Sequence, residues 1–124
     1  MVEFAIVLPV LLLIVLGIIQ FGFLFKDYIA LTDAVRVGAR QAAVSRELPD
    51  PTGTTVARVQ RAAVGLNQSK MNITVEPWDP LTGTNTWAQS GDVTVTATYP
   101  FNINLIGITV MSGVITSRTI ERVE

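Results

Sequence analysis

The chain of 124 residues contains no cysteine and no histidine. Without cysteine there is no disulfide framework and no thiolate chemistry. Without histidine it lacks the commonest general base and the commonest transition-metal ligand. Lys and Arg number 9 and Asp and Glu 10, so the net charge is −1, and no electrostatic attraction to nucleic acid is expected. The glycine-rich loops that cradle phosphates are missing, and so is a Gly-x-Ser-x-Gly elbow. Asp50, Asp79 and Asp92 do not have the spacing of a calcium loop and read as turn residues. The expectation is therefore no enzyme, no cofactor and no metal.

The absence that says most is local. From Phe4 to Phe25 there is no charged side chain. A hydrocarbon core about 30 Å thick is crossed by roughly 20 helical residues, so this stretch is long enough to span a membrane. It is too long for the apolar part of a cleavable signal peptide, and no small-residue cleavage site comes after it. An ordinary anchor carries Lys or Arg on its cytoplasmic flank. Here the flank is Met1-Val2-Glu3, and the first basic residue is Lys26, on the far side. Glu3 reads two ways: an ionisable group beside hydrocarbon with a task to perform, or a carboxylate sitting in interfacial water. Pro9 removes the backbone bond to residue 5 and favours a kink or an opened turn. Gly17 and Gly22 are weak points in a helix or places where another helix packs closely.

Beyond the apolar run the residues predict an α+β head. Tyr28, Leu31, Val35, Ala39 and Ala42 recur at the 3–4 spacing of one helical stripe, so one helix is expected from about 2 to about 47, near 68 Å long at about 1.5 Å per residue. Its first part, 1–25, is the apolar membrane or filament-core helix. The head spans 26–124 and includes the amphipathic stretch of about 26–47. Pro49 and Pro51 are expected to stop this helix. A second helix is expected from Thr54 to Leu66, capped by Thr52, Thr54 or Thr55 and ended by Gly65 or Asn67. Val56, Val59, Ala63 and Leu66 form its apolar stripe.

Met71, Ile73 and Val75, and again Val93, Val95, Ala97 and Tyr99, alternate with polar residues at the period of a half-buried strand. A third strand is expected near Val114 to Val123, giving an antiparallel sheet of about three. Pro77 to Thr86 read as part of a long loop before the second strand. Trp78 and Trp87, which lie in that loop, are ligand platforms or interface anchors or, as the blander expectation, pack over the core. Pro100 to Gly113 read as a second loop, too apolar to be solvated, which packs under the sheet or meets another subunit. Asn67-Gln68-Ser69 and Asn72-Ile73-Thr74 match the glycosylation acceptor pattern, a match common by chance.

Val2-Glu3-Phe4-Ala5-Ile6-Val7-Leu8-Pro9, the apolar run through Gly17-Ile18-Ile19-Gln20-Phe21-Gly22, and Ala30-Leu31-Thr32-Asp33-Ala34-Val35-Arg36-Val37-Gly38-Ala39-Arg40 together resemble the TadE-like proteins. These are pilin-like subunits of the Tad branch of type IV pili. The resemblance is specific over the first 45 residues and slight from Thr52 to Gly91. It implies a structural protein that waits in the cytoplasmic membrane through its apolar helix. The subunit is then extracted and packed with copies of itself into an extracellular helical filament, with help from a prepilin peptidase and the pilus assembly machinery. It also implies that Glu3 neutralises the terminal amine of a neighbouring subunit. The family's glutamate usually lies fifth in the mature protein, after a Gly at the cleavage site. Here it lies third, so two residues precede Met1 in the mature protein or processing differs, and both alternatives stay open. The expected assembly residues are Glu3, Phe4, Pro9, Leu13, Gly17 and Phe21. The competing readings are a minor membrane-bound pseudopilin that primes another pilin's fibre, and a singly anchored surface module that binds a ligand.

Overall fold

The computed structural model describes residues 2–124. Its first element, α1, is a single α-helix of 42 residues, Val2–Ala43, about 63 Å long at 1.5 Å per residue. Pro9 lies inside it and does not end it. The ladder simply lacks the link from residue 9 to the carbonyl of Ala5. The helix stops about four residues before the expected end, and the prolines are not what stops it. After Ala43 the bonds tighten to i→i−3, with Val44 N donating to Gln41 O at 3.3 Å and Ser45 N to Ala42 O at 3.0 Å, as at many helix ends. The Ser45 hydroxyl donates to the same Gln41 carbonyl, which competes with continued helix.

The second helix, α2, is Pro51–Ala62. It begins three residues earlier than expected and ends before Leu66. Its cap is Asp50, not a threonine: Asp50 Oδ1 accepts from Gly53 N at 2.8 Å. Pro51, expected to break a helix, starts one, because the first turn has no use for its missing N–H. The Thr54 and Thr55 hydroxyls donate back to the carbonyls of Asp50 and Pro51, at 2.8 Å each.

Three strands complete the chain, β1 (Asn72–Trp78), β2 (Asp92–Leu105) and β3 (Ile108–Arg122), in the order β1-β2-β3 and antiparallel throughout. The fold class is the expected α+β. Pro77 and Trp78 belong to β1 rather than to a loop; proline is tolerated there because β1 is an edge strand. The larger correction concerns Pro100 to Gly113, which is not a loop. Pairing between β1 and β2 ends at Asn72↔Thr98, whereas β2 and β3 stay paired out to Leu105↔Ile108. The two long strands therefore run past the three-stranded sheet as a hairpin arm. Of its apolar residues Ile103 is buried, but Ile106, Ile108, Val110, Met111 and Val114 are exposed, so the arm does not tuck under the sheet.

The core lies where α1 and α2 meet one face of the sheet. Leu31, Val35, Ala39 and Ala42 are fully buried, together with Val59 of α2 and Val93, Val95 and Ala97 of the central strand. Tyr28, expected in the same stripe, is 46% exposed; cover begins one turn later. Gly38 lets the two helices approach, since a Cβ there would overlap the Val59 side chain. Of the two tryptophans only Trp87 packs against the core, while Trp78 is nearly half exposed.

Candidate functional site

The first half of α1 is rich in Leu, Ile, Val, Ala and Phe, and among the described residues only the hairpin arm touches it, at the level of Gln20. None of its most apolar 18-residue window is buried, the mean hydropathy of that window is 2.9, and the helix is long and apolar enough to cross a membrane. Phe4 is 80% exposed, Ile18 68% and Phe25 63%. Apolar side chains face outward on every side, as on a helix surrounded by apolar neighbours.

Each expected assembly residue lies on this surface. Pro9, Leu13, Gly17 and Phe21 succeed one another at steps of four and share one ridge of the helix. Glu3 and Phe4 lie a turn below, in a shallow hollow with Val7. Glu3 is exposed in the first turn, where a carboxylate favours the helix dipole. No cationic side chain among the described residues pairs with it. A Cβ added at Gly17 or Gly22 would meet nothing within 4 Å. Their smallness thus serves no contact inside the chain.

The sequence pattern did not single out Gln20. It is the one polar side chain between Phe4 and Phe25, and its Nε2 donates to the backbone carbonyl of Asn104 at 3.1 Å. A groove lined by Gln20, Leu24, Phe101 and Ile103 separates α1 from the hairpin arm at this level. The lone amide in an apolar run was the available signal, but its partner is 84 residues away in sequence.

The polar clusters elsewhere are structural. Asp79 accepts from Leu81 N at 2.9 Å and Thr82 Oγ1 at 2.7 Å, so it orders a turn, as expected. The Thr82 hydroxyl, then the Leu81 amide, holds its carboxyl below the usual carboxylate range. Asp92 lies 3.8 Å from the exposed Arg122. No group of acidic side chains that could hold a metal ion occurs among the described residues.

The surface that stands out is thus an uncovered apolar rod with one acid at its tip. Residues 1–40 match the model of the TadE-like protein family. The matched segment contains the whole uncovered half of α1 and its first covered turns; α2 and the sheet lie outside it. No curated protein matches the chain, and no solved structure does. The TadE-like match and the apolar helix fit a membrane-anchored, pilus-associated protein, and that family is structural rather than enzymatic.

Proposed function

We propose that this chain is the structural subunit of a Tad-type filament, polymerising through the first half of α1. It is held in the cytoplasmic membrane beforehand. A prepilin peptidase and the assembly machinery then release it, and the fibre carries the head on its outside. The observation that carries this reading is the contrast along α1, whose apolar side chains are mostly exposed from Phe4 to Ile29 whereas Leu31, Val35, Ala39 and Ala42 are fully buried.

Apolar area alone does not drive such an assembly. Covering a Leu, Ile or Phe is worth roughly 1.5–3 kcal/mol in water, but lipid tails cover it as well as a neighbouring helix does. The preference for a filament must come from groups that lipid leaves unsatisfied. Glu3 is one, because a carboxylate near hydrocarbon gains from a cationic partner in a low-dielectric core. The open surfaces at Gly17 and Gly22 are another, since small residues let backbones approach and pack. The Ala5 carbonyl that Pro9 leaves without its helical donor is a third.

The deciding experiment is the composition of purified surface fibres. The expected result is this chain as the main component. A trace at the fibre base would favour the pseudopilin reading, and its absence from fibres an anchored binding module. Glu3→Ala should leave the melting of the head unchanged and cut fibre yield sharply; normal yield would remove Glu3 from the mechanism.

A further inference from the structure

We propose that the hairpin arm is a second membrane contact: before assembly its tip enters the boundary between headgroups and acyl chains beside α1. This rests on the reading that the first half of α1 resides in a bilayer at that stage.

Position is the first argument. The bond from Gln20 to the Asn104 carbonyl ties the arm to a residue inside the apolar run. Gln20 lies five residues before Phe25, about 7.5 Å along the helix axis. That matches the roughly 5–10 Å depth at which amphipathic elements lie in the membrane interface. A bilayer that takes in Phe4 to Phe25 must therefore meet whatever is docked at Gln20.

Composition is the second. Val93 to Ser117 carry no charged side chain. Ile106 is 73% exposed and Ile108 70%, whereas Ile103, nearer the helix, is buried, so the outer part of the arm is apolar and open. The tip is the third. β2 and β3 are joined by two residues, Ile106 and Gly107, with φ of 51° and 80°. Such turns favour Asn-Gly, and a β-branched residue at positive φ is strained. An isoleucine held there and pointed outward is explained by an apolar contact that offsets the strain. The depth is also bounded. Open strand edges are not tolerated in hydrocarbon, so the arm stops at the boundary and does not insert.

The test uses the whole chain in phosphatidylcholine–phosphatidylglycerol vesicles. Because the protein has no native cysteine, single cysteines carry an environment-sensitive fluorophore at Ile108→Cys, at Leu13→Cys inside the span and at Thr82→Cys in a distant loop. Quenchers are a lipid with a nitroxide near the headgroup end of its acyl chain, and aqueous iodide. Position 108 should be quenched by the shallow nitroxide several-fold more than position 82, and shielded from iodide. If position 108 behaves like position 82 while position 13 reports lipid, the arm stands in water and the proposal falls alone. If position 13 also reports water, the membrane reading falls with it. If shielding at position 108 disappears on dilution with lipid, a second copy covers the arm, and the lipid contact is overturned.

Discussion

The two halves of α1 are equally helical and both present Leu, Val and Ala, yet only one of them is a core. From Leu31 to Ala43 the helix is covered by α2 and the sheet, and its inward side chains have no exposed surface. From Phe4 to Ile29 the same kinds of side chain stand open. The difference lies in pattern. The covered half keeps Asp33, Arg36 and Arg40 on its outer side, so it has an inside and an outside, which suits an element lying on a sheet. The uncovered half has no outside. A helix apolar all round is complete only when neighbours surround it, and the described residues supply only the hairpin arm on one side, at Gln20.

The sharpest way to break that comparison is to put a charge in each half. Leu13→Lys should abolish both membrane residence, read by flotation, and fibre formation. The head should keep its near-ultraviolet dichroism. A lysine at the centre of a span costs about 2.5–3.5 kcal/mol or more. Fibres that survived it would make the first half a solvated rod. Leu31→Asp should do the reverse, unfolding the head while the first half still enters vesicles. The loss combines about 1.5–3 kcal/mol of burial with the penalty for an unpaired buried charge. A melting temperature within the range of surface substitutions would mean that the stripe faces other subunits.

Glycines give a finer comparison. Gly38→Ala would press on Val59 and should lower head stability by about 1–3 kcal/mol, the usual cost of overpacking. Gly17→Ala has open space and should leave the head unchanged while weakening fibres. Equal effects on folding would erase the distinction between covered and uncovered halves. The smallest effect expected is that of acid. Asp79, in the head, has a lowered folded pKa, so its contribution is present above the carboxylate's unfolded pKa and is lost as pH falls through the folded value. The melting difference between the native chain and Asp79→Asn should therefore be widest near neutral pH and shrink in acid. A difference that grew in acid would reverse the sign.

Much of this was legible in the residues. The stripe Leu31, Val35, Ala39 and Ala42 announced the covered face at its 3–4 spacing, and the alternation of Val93, Val95 and Ala97 the central strand. Periodicity names a face but not how far its cover reaches, which is why Tyr28 was misplaced. Asp50-Pro51 looked like a stop although the same pair makes a good start: an acidic cap and then a fixed φ. The arm was hidden for a different reason. Its residues are apolar on both faces, so no period of two stands out, and Pro100 looked like a breaker. In the fold Pro100 lies beyond the last β1 partner, where β2 has become an edge. The uncovered apolar surface was plain as an uncharged run. The tie between Gln20 and Asn104 was not, because no local pattern encodes a contact between distant segments.

α1 passes from uncovered to covered without a break, and that continuity has a mechanical meaning. Beyond Pro9, a pull on the rod reaches the head through one continuous helix. The shaft is held at its far end by Glu124 N, which donates to the Ala43 carbonyl at 2.9 Å, and along its flank by β2 and β3. The rod itself has one soft link. At Pro9 the axial ladder is missing a rung, and a helix stretched end to end yields first at its least bonded turn. α1 is thus one continuous shaft whose least bonded turn lies near its N-terminal end.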